Sequence, residues 1–295
     1  MAFLVLLITL GCYKFLGWRV DRRFDEWFFL LSDSLGSTFQ KHPQVATLST
    51  LLLPVLLAGL LLNLLENSLF GFIGVALQVL LLFYSMGRDN LLQCTEGYLR
   101  RWRAGDTQAA YHFASEYLKT QEDIDVNDLA SLQREVRTGL LYQWFEQVFL
   151  VLFWYLLAGP LAALFIRFIC LYDQWLKASD DTAAAAMPLQ ILHALEWLPA
   201  RCVGLTFTLA GNFVLCFRSW IDAVLSWHTP TEKVLYNTGM AALGACVETS
   251  EDMIRPVERI ADVSDEYTQE IQAIQDLLVR SLIVWVVIVA LIVIF

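Results

Sequence analysis

The residues able to do chemistry in this sequence are few, and they sit in or beside apolar runs. They are Glu146, Arg167, Glu196, Arg201 and His228, with Gly159-Pro160 and Pro199 interrupting the runs around them. An ionisable side chain within a membrane segment points to function by default, because its burial is costly. An arginine fixed near a membrane surface suits phosphate or carboxylate, since its planar fork donates two parallel hydrogen bonds. Simpler uses compete with these. Glu146 and Arg167 can snorkel to the interfaces, and Arg201 can pair with Glu196 across a proline turn. Arg103 and Asp106 flank a second turn, Arg103-Ala104-Gly105-Asp106. There Asp106 is placed to N-cap the following helix by accepting from its free first-turn amides. A ligand contact at that turn is the alternative.

No nucleophile–base pair can be named, and there is no P-loop, GxGxxG, HExxH or GxSxG. Catalytic residues are therefore not assigned. The four histidines, at 42, 112, 193 and 228, are too dispersed for a metal site. The six cysteines stand at 12, 94, 170, 202, 216 and 246 without a CxxC pair, so they read as small buried apolar residues.

The elements that must position these residues are membrane helices. Hydrophobic residues make up 57% of the 295, and charged residues only 17%, against about 25% in a soluble domain. The net charge of −10 disfavours nucleic acid as a partner. Met1–Leu10 is too short to span alone, and residues 14–44 interleave basic and aromatic residues as an interfacial helix does. Val45–Leu65 and Leu69–Met86 are uncharged spans, with Pro54 inside the first and a tight turn at Glu66-Asn67-Ser68. That turn carries no basic residue, whereas both flanks of the hairpin do, which places the flanks in the cytoplasm.

Helices are expected near 89–103 and 107–119, then a polar linker at 120–128. Residues 140–175 are too many for one simple span. Either a long helix kinks at Gly159-Pro160 or two segments meet there, and Gly159 with Ala163 would let a neighbouring helix approach closely. Ala178–Met187 reads as a polar, alanine-rich gap and Leu189–Trp197 as a short helix that Pro199 ends or restarts. Val203–Phe217 is a short span, a buried helix or a re-entrant segment. Thr231 is placed to N-cap Glu232–Ala245. From Ile254 a long amphipathic helix leads into the uncharged Ser281–Phe295.

Across the proline of this series, Leu192-His193-Ala194-Leu195-Glu196-Trp197-Leu198-Pro199-Ala200-Arg201 resembles the leucine–acidic–aromatic–x–proline–x–arginine signature of the AmpE proteins. Phe153-Trp154 before Gly159-Pro160, the Arg103-to-Asp106 turn, Trp220 to His228-Thr229 and the C-terminal membrane helix extend the resemblance over most of the chain. AmpE proteins are inner-membrane proteins of the β-lactamase induction system, encoded beside the anhydro-muropeptide amidase. They are related to the cobalamin-biosynthesis synthases that attach the aminopropanol arm to cobyric acid. Those synthases show a Glu-Asn…Asp cluster where this chain has Tyr142-Gln143-Trp144-Phe145-Glu146. Their His-x-Ser-Pro-Asn-x-Gly-like segment stands here as His228-Thr229-Pro230-Thr231-Glu232.

Together these readings predict an all-α, polytopic helical membrane protein with a cytoplasmic helical region. Its segments are 1–44 (short apolar and interfacial helices), 45–86 (transmembrane hairpin) and 87–139 (cytoplasmic helices). Then come 140–217 (membrane helices with the Gly-Pro break and a Pro-Ala-Arg turn), 218–278 (helical) and 279–295 (C-terminal membrane helix). The resemblance implies a regulator or sensor in the bacterial inner membrane rather than an enzyme, with an amide-forming synthase and a structural membrane partner as alternatives. It implies a muropeptide or nucleotide ligand, ATP included by resemblance alone, and a membrane protein or a second copy as partner. The candidate ligand-binding set is Glu146, Arg167, Glu196, Arg201, His228, Arg103 and Asp106. The Gly159-Pro160 break and the Glu196-to-Arg201 turn are expected to wall one pocket.

Overall fold

In the computed structural model every regular element among the described residues is a helix, as the hydrophobic periodicities predict. The structure describes residues 2–16, 23–39, 42–66, 72–87, 91–117, 129–179, 182–244 and 260–294. The expected turn at Asn67-Ser68, the linker at 120–128, Cys246 and the helix start at 254 lie outside them. Three described helices are long and apolar enough to cross a membrane: Pro43–Leu64, Ala130–Ala158 and Asp265–Leu291. These are the marks of a membrane protein.

Two units divide the chain. The first comprises residues 1–90 and 146–196. It holds α1 (Ala2–Leu16), α2 (Arg23–Thr38), α3 (Pro43–Glu66), α4 (Phe72–Ser85), α8 (Val151–Ala158), α9 (Pro160–Ser179) and the start of α10 (Thr182–Ala210). The second comprises 91–145 and 197–295. It holds α5 (Leu91–Arg103), α6 (Thr107–Tyr117), α7 (Leu129–Trp144), the rest of α10, α11 (Phe213–Val224), α12 (Thr231–Ala242) and α13 (Ile260–Ile294). A π-helical segment, Phe145–Leu150, joins α7 to α8.

Within the first unit α9 packs on α2, α3, α4 and α8. Phe168 of α9 stacks on Phe28 of α2, ring centroids 5.1 Å apart, and Trp27 meets the same ring edge-on at 5.8 Å. The outer face of α3 is leucine, with Leu52, Leu56 and Leu60 exposed as a lipid-facing stripe would be. α3 runs through Pro54 without interruption. In the second unit α7 packs on α5, α12 and α13. The Tyr98 and Tyr267 hydroxyls lie 3.2 Å apart in its core, and Arg137 pairs with Glu270 at 2.6 Å. Burial pushes the Tyr98 phenol up to about 12, so it stays a neutral hydrogen-bonding group.

At Gly159-Pro160 two segments meet. Gly159 ends α8 at φ 84°, ψ −170°, a backbone state open to glycine almost alone, and donates its amide to the Tyr155 carbonyl at 2.9 Å. Pro160 then takes the first position of α9, where its missing N–H costs nothing. The close helix approach expected at Gly159 is not there: a β-carbon at that position would meet nothing within 4 Å. The glycine serves the backbone, not packing.

Three further expectations need correction. Thr182–Ala210 is a single helix, so the alanine-rich stretch is helical from residue 182 and Pro199 makes no turn. Val203–Phe217 is neither one span nor one buried helix, because α10 stops and α11 starts at Gly211-Asn212, and of the three alternatives the re-entrant segment is left. There the Gly211 amide bonds the Phe207 carbonyl, the Asn212 amide bonds the Ala242 carbonyl at 2.7 Å, and the Asn212 side chain caps the Leu215 amide. Gly211 is required by close approach, since a β-carbon there would run into the Ala242 carbonyl. Thr231 does not cap α12. Pro230 holds the cap position with no side-chain bond, and Thr231 is the buried first residue of the helix. The amphipathic and apolar parts of the C-terminus are one helix, α13.

Two substitutions separate the roles of the two glycines. Gly159→Ala should lower stability in detergent by about 1–3 kcal/mol through backbone strain alone. Gly211→Ala should also destabilise, by steric overlap, and should expose the amides of both α11 and the end of α12 to hydrogen exchange. Unchanged melting for Gly159→Ala, or exchange confined to one helix for Gly211→Ala, would contradict these assignments.

Candidate functional site

Arg167 lies on an apolar stretch of α9, and its charge is buried. The helix α2 supplies its counter-ion. Arg167 Nη2 donates to Asp25 Oδ2 at 2.8 Å, and Tyr84 of α4 donates its hydroxyl to Asp25 Oδ1 at 2.9 Å. Asp25 is fully buried in the first turn of α2, where the helix dipole favours a carboxylate. Both carboxylate oxygens therefore have donors from different helices, which ties α2, α4 and α9 together.

The π-helical segment brings Glu146 and Gln147 to the same place. Together with Ser85, Val151, Ile166, Arg167 and Cys170 they line a cavity of about 10 Å³, roughly the room one water takes. Arg167 and Gln147 also carry buried atoms, Nε and Oε1, that have no hydrogen-bonding partner among the described residues. One is a donor and the other an acceptor. π-Helical turns inside α-helices are frequent at functional sites. Gly159, Pro160 and Glu196 are not among the residues lining this cavity. Glu196 is buried in the same unit.

The Trp154 indole of the first unit donates to the Leu195 carbonyl at 3.1 Å. That carbonyl is the one four residues before Pro199, whose ring nitrogen has no hydrogen to offer it. An indole from forty-one positions away thus replaces the backbone bond that the proline removes.

In the second unit Arg201 is committed to backbone. Its guanidinium donates to the Trp197 carbonyl at 3.2 Å, to Ser226 at 2.6 Å and to Ala223 at 3.4 Å, and lies 4.8 Å from the Trp197 ring centre. The Ala223 and Ser226 carbonyls are at the C-terminal end of α11, where a cation is favoured. Trp220 closes the arrangement by donating its indole N–H to the Arg201 carbonyl at 2.8 Å. His228 is exposed in the loop that follows. Arg103 is exposed at the α5–α6 turn, and Asp106 accepts from the Ala109 amide at 2.9 Å, the cap expected from the sequence. Among the described residues no group of three metal-ligating side chains forms.

Of the seven sequence-predicted residues, Glu146 and Arg167 line one cavity. Asp25, Tyr84 and Gln147 were missed. The signal for Asp25 was available: a buried arginine demands a carboxylate, and Asp25 stands among the aromatic residues of an amphipathic helix.

All of the chain, residues 1–295, matches the family described as regulatory signalling modulator protein AmpE. The chain belongs to the AmpE family. Protein AmpE of Shigella flexneri is 24% identical over 229 residues, covering 74% of this chain and 76% of that protein. The cobalamin biosynthesis protein CobD of Chromobacterium violaceum is 26% identical over 176 residues, 58% of this chain and 54% of that one. Against it the chain spans about half the relative's length. The CobD protein of Stutzerimonas stutzeri is 24% identical over 229 residues, 77% of this chain and 72% of its own. No solved structure matches.

Trp154→Phe leaves the Leu195 carbonyl unpaired and should cost about 1–3 kcal/mol. Adding Pro199→Ala should restore most of that loss, because an alanine in the proline's place supplies the missing amide. A double variant no more stable than Trp154→Phe alone would show that the indole bond is incidental. Arg201→Ala should speed hydrogen exchange across residues 223–230, and Arg201→Lys should not restore protection, because an ammonium cannot span the carbonyls as the fork does.

Proposed function

We propose that this chain is a non-enzymatic regulator in a multi-pass bacterial inner membrane arrangement, acting in cell-wall-linked induction of β-lactamase and tied to peptidoglycan recycling. The observation that carries this reading is the AmpE match over the whole chain together with the commitment of two of its candidate cations to internal bonds. Arg167 gives one nitrogen to Asp25, and Arg201 gives its terminal nitrogens to carbonyls. Synthase chemistry activates a carboxylate and joins an amine to it. That work calls for free acidic and amide groups around a substrate-sized opening, whereas the Glu146–Arg167 cavity has room for about one water. A regulator needs only a place whose occupancy shifts a packed arrangement, and the Asp25–Arg167–Tyr84 junction joins three helices at such a place.

The CobD relatives favour a second reading, an amide-forming enzyme working through Glu146 and Arg167 on a cytoplasmic carboxylate or phosphate. A muropeptide or nucleotide ligand suits either reading, and a membrane partner or second copy would carry the signal in the first.

Deletion of the chain in a host with inducible β-lactamase should change induction several-fold under β-lactam challenge and alter the pool of recycled muropeptides. Glu146→Gln should reproduce the altered induction while the protein remains in the membrane at normal amount. Unchanged induction and unchanged muropeptides after deletion would contradict the regulatory reading. Turnover of an amine and a carboxylate by purified protein, lost on Glu146→Gln, would establish the enzyme instead.

A further inference from the structure

Residues 197–227 of the second unit form a helical hairpin with two unlike ends. Its base is polar and aromatic. There Arg201 holds the Ala223 and Ser226 carbonyls, and the Trp197 and Trp227 rings lie 5.4 Å apart. Its tip, around Gly211-Asn212, is apolar and bare. Leu209 is 62% exposed, Phe213 54% and Val214 75%, with Leu205 and Leu215 exposed beside them. The charges of α11, Arg218 and Asp222, stand in its later part, toward the base.

We propose that this hairpin is re-entrant: its tip dips into lipid acyl chains and returns to the side it left, with the tryptophans and Arg201 at headgroup level. The proposal rests on the membrane reading of the chain. The occupant is lipid because of one hydrogen bond. Trp285 of α13 donates its indole N–H to Thr206 of α10 at 2.9 Å. Trp285 lies in the uncharged C-terminal run, about 8 Å beyond Arg280 at the helical rise. Thr206 is therefore at hydrocarbon depth, level with the run of α13 in which Ile283, Val287 and Leu291 are exposed.

The turn is built for that depth. Non-helical backbone within a membrane needs its polar groups satisfied inside the protein. The Gly211 and Asn212 amides bond the Phe207 and Ala242 carbonyls, and the Asn212 side chain takes the Leu215 amide. Indoles at the base match the interfacial preference of tryptophan, and Arg218 can snorkel outward from the later turns of α11.

The test places a spin label at Val214→Cys, in full-length protein whose native cysteines are alanine, reconstituted in phosphatidylethanolamine–phosphatidylglycerol nanodiscs. Leu56→Cys on α3, Ile283→Cys on α13 and His112→Cys on α6 serve as references. The expected result is that position 214 is reached by oxygen and not by a water-soluble nickel chelate, as positions 56 and 283 are. Nickel accessibility at 214 equal to that at 112 overturns the hairpin while leaving the membrane reading intact. Nickel accessibility at 56 and 283 as well overturns the membrane reading itself. Should the cysteine-free protein not fold, Val214 replaced by photoreactive benzoylphenylalanine in the otherwise native chain gives the same answer. Cross-links to lipid support the proposal, and cross-links to a second copy or another protein contradict it.

Discussion

A polar group withdrawn from water is costly without a partner, and several charged, kinked or broken places among the described residues are arranged around that constraint. Arg167 is the sharpest case. A guanidinium on an apolar helix face is tolerable because Asp25 lies 2.8 Å away, and Asp25 is tolerable because Tyr84 and Arg167 serve its two oxygens. The proline of α10 obeys the same rule. Its lost amide bond is replaced by the Trp154 indole, so the helix continues where a turn was expected. In the other unit Arg201 neutralises the exposed carbonyls ending α11, and the Ala242 carbonyl that ends α12 takes the Asn212 amide.

The constraint bears directly on function. Two of the side chains that could have bound a substrate, Arg167 and Arg201, are engaged in holding helices together. What is left near the first unit's junction is a cavity of one water's volume, lined by Glu146, Gln147 and the remaining face of Arg167. In this AmpE-family chain, which is similar to CobD proteins, Arg167 and Arg201 are both bonded internally, and the proposed regulatory reading rests on that. Three helices, α2, α4 and α9, converge on Asp25, and Arg167 belongs both to that junction and to the cavity wall.

Local signals are legible in the sequence. The apolar runs mark α3 and the C-terminal part of α13, Asp106 has the setting of a cap and is one, and Gly159-Pro160 marks a true junction. The positions that mislead are those governed by distant residues. Pro199 looks like a helix end until Trp154 is brought to it. Arg167 has no visible counter-ion until Asp25, 142 positions earlier, is folded against it. Thr231 has the composition of a cap, but Pro230 already fixes the backbone at that position. Gly211-Asn212 stands inside an apolar run, yet only the nearby Ala242 carbonyl explains why the run breaks there.

The central claim, that internally paired polar groups hold the helices in place, is tested most directly by a double-mutant cycle on Asp25 and Arg167 in a bilayer mimetic. Asp25→Ala and Arg167→Ala should each cost about 3–5 kcal/mol, because each strands a buried charge. The double variant should cost no more than either single one. Additive losses would mean that the two charges are solvated independently, and that the junction of α2, α4 and α9 does not depend on their bond.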